Sequence, residues 1–245
     1  MKTIAIITAR GGSKRIPRKN IKDFCGKPMI CYSLEAAKES GVFSKIMVST
    51  DDEEIAEIAR ESGAEVPFMR SQKTSDDFAT TDDVLLEVIE TYRQRGEKFD
   101  RFCCIYPTCP LLTANRLKEA MAMLNSCDGV MPVVPFSYPP QRGVIVSGGN
   151  IKRKYPEFAK SRSQDLETIY HDCGQFYAVR TEAFLAVGTL QVEHLKPMIL
   201  TEMEVQDIDN ELDWELAELK YHCLRLAANS NCMHSNMLNI LLRKL

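Results

Sequence analysis

No run of the sequence approaches the roughly 18 consecutive apolar residues that a membrane-spanning helix requires, which excludes such a helix. Positive charge is not in excess either. Lysine and arginine number 31 against 34 acidic residues, a formal net charge of -3, so no bulk field draws the chain to nucleic acid. Histidine is scarce, at four residues, and three of them (His194, His222, His234) read as structural. No two cysteines have the C-x-x-C spacing, and their number, nine, is odd. Free buried thiols are therefore expected in place of a zinc site or a disulfide framework. Repeats and low-complexity tracts are missing. The single tryptophan, Trp214, stands near an expected helix start and reads as a packing anchor. Met1-Lys2 leads straight into a short apolar run followed by basic residues, which is not the order of a secretory signal peptide. The expected location is cytoplasmic.

What remains is an ordinary globular composition, 44% hydrophobic and 27% charged over 245 residues, enough for one large domain. Apolar runs at Thr3–Ala9, Lys45–Thr50, Ala64–Phe68, Arg101–Tyr106, Gly129–Val134 and Gly174–Arg180 read as strands buried on both faces. Helical periodicity fills Met29–Glu39, Glu53–Ser62, Asp82–Arg95, Thr113–Asn125 and Asn210–Ala227. The alternation predicts a Rossmann-like α/β fold, with a mostly parallel sheet and helices on both faces. Between Pro135 and Asp172 prolines and glycines punctuate short β-like pieces, so the domain is expected to comprise 1–134 and 173–228, interrupted by a β-rich excursion at 135–172 and followed by a tail at 229–245. The excursion is only partly apolar and poorly suited to fold alone, which suggests a dimerisation arm.

Two segments carry chemistry. In Ala9-Arg-Gly-Gly-Ser-Lys-Arg-Ile-Pro-Arg-Lys-Asn20 the Gly11-Gly12-Ser13 backbone can turn N–H groups toward an anion, and Arg10, Lys14, Arg15, Arg18 and Lys19 add cations. A triphosphate needs that pairing, although this is not the G-x-x-x-x-G-K-[ST] loop, and a solvated basic turn is the plainer alternative. The second segment, Asp207-Ile-Asp-Asn-Glu-Leu-Asp213, places Asp207 and Asp209 on one side of an extended chain, where they could share a hard divalent cation. Helix capping is an equal alternative for the segment, and it fits Asn210, Glu211 and Asp213 better than Asp207 and Asp209.

Together these segments resemble the acid-sugar cytidylyltransferases, which make CMP-activated sialic-type sugars; the resemblance covers about residues 1–226. A-R-G-G-S-K-R-I-P-R-K-N matches that family's A-R-x-G-S-K-x-x-x-x-K-N signature. By that resemblance Arg10, Gly12, Ser13, Lys19 and Asn20 hold the triphosphate of CTP. Arg70, followed by Asp77, Ala79 and Thr81, resembles the base-reading segment, and Asp207-Ile-Asp209 the metal-binding D-x-D, which implies Mg2+. Arg10 and Lys19 are then catalytic together with Asp207 and Asp209.

Departures from the sialic acid pattern fall where that family contacts the sugar. Tyr106 replaces a glutamine in the Q-P-T-S-P-L block, and Tyr170-His-Asp-Cys-Gly-Gln-Phe-Tyr177 replaces Y-R-E-N-G-A-I-Y. Both forms resemble the pseudaminic acid branch. The implied sugar contacts are Tyr106, Arg142, Arg162, Gln164, His171 and Tyr177. The reaction implied is transfer of CMP from CTP to the anomeric hydroxyl of a nonulosonic acid, releasing pyrophosphate. Partners would be CTP, an acidic nine-carbon sugar and a second copy of the chain, with no nucleic acid and no membrane. A CMP-N-acetylneuraminate or CMP-Kdo synthetase, or a non-catalytic nucleotide-binding module on the same fold, are the alternatives.

Overall fold

The computed structural model describes residues 1–76 and 78–229; Asp77 and the tail from residue 230 lie outside them. In chain order the strands are β1 (Thr3–Thr8), β2 (Asp23–Phe24), β3 (Lys27–Pro28), β4 (Lys45–Ser49), β5 (Arg101–Ile105), β6 (Gly129–Pro135), β7 (Val144–Ser147), β8 (Asn150–Arg153), β9 (Tyr170–Asp172), β10 (Phe176–Arg180) and β11 (Leu195–Ile199). The helices are α1 (Met29–Ser40), α2 (Glu53–Glu61), α3 (Gln72–Ser75), α4 (Thr81–Gln94), α5 (Ala114–Met123), α6 (Thr181–Val187) and α7 (Glu211–Asn229).

Seven strands form one sheet in the order β11-β6-β10-β5-β1-β4, with β9 pairing to β6. β1 runs parallel to β4 and β5, and β6 parallel to β11. β10 is antiparallel to both β5 and β6, and β9 to β6. Successive side chains of a strand face opposite sides, and both sides are covered. From β1, Ala5 and Ile7 enter a core with α1, α2 and α5, while Ile4 and Ile6 enter one with α4 and α6. That is why β1 and β5 read as continuous apolar runs. Cys103 and Cys104 divide between the two faces in the same way, and all eight cysteines among the described residues are free.

The structure differs from the sequence reading in several places. Ala64–Phe68 is no strand: it contributes one bridge, Met47 to Glu65, and Pro67 then has no N–H to continue the ladder. The 10–28 loop contains the β2–β3 ladder, turned by Cys25 (φ 50°) and Gly26 (φ 98°), the pair of positive φ angles a tight hairpin needs. α6 and β11 were not apparent. β11 is a sheet edge carrying Lys196 and Pro197, and its burial does not alternate. The excursion contains the β7–β8 hairpin, and Tyr170–Asp172 already pairs with β6 in the main sheet.

A third, smaller core packs Ile16, Phe24, Met29 and Tyr32 against Ile208, Trp214 and Ala217. Phe24 meets Tyr32, Trp214 and Tyr221 edge-on at 5.3, 5.4 and 5.7 Å. It joins the basic loop to the acidic segment.

Asp52 links α2 to the same loop. Its carboxylate caps α2 by accepting the Ile55 N–H at 3.1 Å and pairs with Arg18, which also reaches Glu54. The Arg18 hydrogen bond holds the Asp52 carboxyl below its ordinary range; burial opposes this and the Ile55 N–H adds to it. A depressed folded-state value means that the stabilisation is present above the unfolded carboxyl's titration and is lost as pH falls through the folded one. Asp52→Asn keeps a capping oxygen but loses the ion pair with Arg18, so it is expected to cost about 1 kcal/mol or less at neutral pH, with the difference from wild type shrinking below about pH 4. Thermal melts of both proteins from pH 3 to 7 check this; a pH-independent difference would be wrong for an ionised cap.

Candidate active site

The carboxyl ends of β1 and β5 open onto a cleft of about 360 Å³ lined by Thr8, Arg10, Ser13, Lys19, Asn20 and Tyr106, among others. Ligands of open α/β sheets bind at such ends. The basic loop over it is tightly braced. Ala9 N–H donates to the Ser49 carbonyl (3.0 Å), Gly11 N–H to Asp51 Oδ1 (2.9 Å) and Ser13 N–H to the Gly11 carbonyl (2.9 Å). A Cβ on Gly11 would lie 2.7 Å from Asp52 Oδ2, so only glycine fits, whereas Gly12 faces open space. Asn20 is buried, and its amide donates to the Arg10 carbonyl at 2.8 Å. Arg18, counted among the loop cations, takes a left-handed conformation (φ 57°) and turns to Asp52 and Glu54.

Across the cleft lies the acidic segment. Burial alternates: Ile208 is fully buried in the small core, and Asp207 and Asp209 flank it. Asn210 Oδ1 accepts the Asp213 N–H (3.0 Å), while Asp213 Oδ2 accepts the N–H groups of Asp209 (2.9 Å) and Asn210 (3.0 Å). Asn210 and Asp213 thus do the capping at the start of α7, and the side chains of Asp207 and Asp209 are left for other partners. Arg15 pairs with Asp209 at 2.7 Å. Lys19 Nζ donates to the Ile208 carbonyl, between the two acids. Burial lowers the Lys19 pKa, with Asp209 and Asp207 pulling it back. Burial also raises that of Asp207, the Asp209 charge adds to this, and Lys19 opposes it. Asp207 and Asp209 also line a neighbouring cleft of about 450 Å³ with His171, Asp172, Glu202 and Lys220. Among the described residues no group of three or more His, Cys, Asp or Glu is arranged to hold a metal. Two carboxylates next to a basic, phosphate-sized cleft still suit magnesium, which is commonly bound by one or two carboxylates plus phosphate oxygens.

A third cleft, about 190 Å³, is shared by Thr81, Tyr106, Tyr177 and Leu190. The hydroxyls of Thr81 and Tyr106 are 3.1 Å apart. Tyr106 meets Tyr177 edge-on at 5.9 Å, and the Tyr177 phenol donates to Asp172. Arg70 stands beside the loop, donating to the Ser49 carbonyl (2.7 Å) and hydroxyl (3.2 Å). The segment after it is pinned by Glu87, which accepts the Ser71 N–H (2.8 Å), the Ser71 hydroxyl (2.7 Å) and the Thr74 hydroxyl. Ala79 N–H donates to Asp76 at 2.8 Å.

Tyr106 therefore touches both the loop cleft and the Thr81–Tyr177 cleft, and Arg15 and Lys19 join the loop to Asp207–Asp209. Arg142, Arg162 and Gln164 are not brought in. All three are exposed on the excursion and line none of these clefts: Arg142 reaches the Ser161 carbonyl and the Ser163 hydroxyl (both 3.3 Å), and Arg162 pairs with Asp165 (2.8 Å). His171 is exposed and packs on Phe136 at 4.7 Å. Participants missed as site residues include Asp51, Asp172, Leu190 and Lys220. Asp51 reads as a helix cap in sequence, and Leu190 as generic core. Lys220 donates to the Glu202 and Val205 carbonyls (2.8 and 2.7 Å), which no local pattern signals.

Comparison with known proteins identifies the family. A family model described as cytidylyltransferase matches residues 4–181. A pseudaminic acid cytidylyltransferase of Campylobacter jejuni (serotype O:23/36, strain 81-176) is 42% identical over 224 residues, covering 90% of this chain and 97% of its own. A CMP-N,N'-diacetyllegionaminic acid synthase of Legionella pneumophila is 31% identical over 228 residues, 89% and 95% of the two chains. Among solved structures, a CMP:2-keto-3-deoxy-manno-octonic acid synthetase complexed with CTP shares the fold, with a TM-score of 0.64 over 89% of this chain and 97% of that one at 17% identity. On these sequence matches, the chain belongs to the cytidylyltransferase family.

Proposed function

We propose that this enzyme transfers CMP from CTP to the anomeric hydroxyl of pseudaminic acid and releases pyrophosphate. The observation that carries the reading is the meeting of the basic loop and the D-x-D segment at Lys19 and Ile208, beside a tyrosine-lined cleft. Arg10, Gly12, Ser13, Lys19 and Asn20 would take the triphosphate; Arg70, Ala79 and Thr81 would border the cytosine. Tyr106, Tyr177 and His171 would face the sugar.

In the transfer the anomeric oxygen forms a bond to the α-phosphorus in line with the bond to the pyrophosphate, which breaks, and the hydroxyl proton is lost. Arg10 and Lys19 stabilise the charge growing on the phosphate oxygens. Their loop is rigid before the ligand arrives, because Asp51, Asp52 and Asn20 already fix it, so little reorganisation is needed at the reacting step. Asp207 and Asp209 would hold a magnesium ion, which when bound supplies neutralising charge to the triphosphate.

The excursion supports a homodimer as part of the same reading. Tyr138, Val146 and Ile151 are 87%, 70% and 73% exposed, an unusual amount of apolar surface for one short arm. A second copy of the chain would cover it in a symmetric contact. Among the described residues no helix is long and apolar enough to cross a membrane, and a cytoplasmic location belongs to this reading.

Asp207→Ala and Asp209→Ala are each expected to lower turnover by about a hundredfold or more with circular dichroism unchanged; near-wild-type turnover in both would remove the metal assignment. Given limiting CTP and a mixture of pseudaminic and N-acetylneuraminic acids, the enzyme is expected to consume pseudaminic acid first. Equal consumption, or the reverse order, leaves the cytidylyltransferase but not the pseudaminate reading. Light scattering at micromolar concentration is expected to give a dimer that Val146→Asp with Ile151→Asp converts to monomer. A wild-type monomer counts against the arm.

A further inference from the structure

Asp172 stands between the acidic cleft and the tyrosine cleft, and the transfer just described makes no use of it. Both of its carboxylate oxygens are engaged. Oδ1 accepts the Gly174 N–H at 2.8 Å, and Oδ2 accepts the phenol of Tyr177. Gly174 has φ 58°, the left-handed conformation that lets the chain bulge between β9 and β10, which both run antiparallel to β6, and puts Tyr177 within reach of Asp172. An ionised carboxylate can only accept, and a phenol has a single proton. The Tyr177 proton is therefore spent on Asp172, and its oxygen can only accept, from the neighbouring Tyr106 hydroxyl or from a ligand. One ring away, the Tyr106 and Thr81 hydroxyls share a hydrogen bond in which either can donate, so that end of the chain adapts while the Tyr177 end is fixed.

We propose that Asp172 is a positioning residue for sugar selection: it locks the Tyr177 phenol in one donor–acceptor direction, so the cleft of Thr81, Tyr106, Tyr177 and Leu190 takes a sugar substituent that donates a hydrogen bond at Tyr177 and rejects one that only accepts. This rests on that cleft being the sugar subsite. Tyr177 is 7% exposed, and a buried group left with an unmatched ligand costs far more than an exposed one. Burial, with the Asp172 hydrogen bond, raises the Tyr177 pKa, so the phenol keeps its proton through neutral pH. Asparagine at 172 preserves size, but its Nδ2 can donate to Tyr177 and turn the phenol proton toward the cleft.

The test is a double-mutant cycle of Asp172→Asn and Tyr177→Phe, read as kcat and KM for pseudaminic acid, KM for CTP, and Tm without ligand. Asp172→Asn alone is expected to lower kcat/KM for the sugar about tenfold or more, mainly through KM, with KM for CTP within about twofold of wild type. In the Tyr177→Phe background the same substitution is expected to change sugar kcat/KM little. An Asp172→Asn loss of equal size in both backgrounds, a matching rise in KM for CTP, or no loss at all would overturn the proposal, since Asp172 would then only shape the Gly174 bulge or do nothing. Wild-type enzyme that releases no pyrophosphate with any acid sugar rejects the transfer reading instead. The ligand-free melts still decide the lock: non-additive Tm losses support it and additive ones overturn it.

Discussion

The site depends on one small hydrophobic contact, the burial of Ile16 and Ile208 in a common core with Phe24, Met29 and Trp214. Ile16 lies inside the basic loop and Ile208 between two aspartates, so each is an apolar anchor within a charged segment. Neither segment could hold its place by charge alone. Exposed ion pairs such as Arg15–Asp209, with the arginine 69% exposed, contribute little net stability. Apolar burial of two isoleucines and a tryptophan, at several kcal/mol in sum, can hold the segments together while leaving the ionic groups outside. Removing either isoleucine would leave a cavity next to Lys19 and loosen the approach of the loop to the aspartates.

Around that anchor the charges are divided by task. Arg18 and Asp52 join the loop to α2, and Asn210 and Asp213 close the first turn of α7. Asp51 and Asn20 brace the loop backbone. With these structural demands met by neighbours, Lys19 lines the loop cleft and Asp207 and Asp209 the neighbouring acidic one, and the two meet where Lys19 reaches the Ile208 carbonyl. Burial lowers Lys19, and burial with the neighbouring Asp209 charge raises Asp207, so the two charges are disfavoured until a partner neutralises them. A site built this way is preorganised for a highly charged partner.

The tyrosine cleft is built on different physics. β10 runs against the direction of β5 and β6, and it continues β9 along β6 in the same direction past a bulge at Gly174. The antiparallel pairing of β10 with β5 brings Tyr177, at the start of one strand, beside Tyr106, just past the end of the other. Thr81, at the start of α4, reaches the Tyr106 phenol from a third element. The exposed β7–β8 arm lies apart from this arrangement, and its arginines make their hydrogen bonds within the excursion.

By itself the sequence determined the α/β class, most strand and helix positions, the basic loop and the acidic pair. These are local signals: two-faced apolar runs, helical periodicity, and residue types fixed in a short motif. Tertiary structure decided what each charged group does. Arg18 and Arg15 look alike in sequence, yet one turns to Asp52 and Glu54 and the other to Asp209, some 190 residues away. Asp207 and Asp213 likewise separate only when the α7 cap is seen to use Asp213. α6 and β11 stayed hidden because an edge strand with a proline and no alternation has no local signature. The antiparallel β10, the tyrosine pair and the role of Asp172 depend on strand order and on the bulge at Gly174. Those are fixed by long-range packing and backbone hydrogen bonding, which no stretch of a few residues encodes.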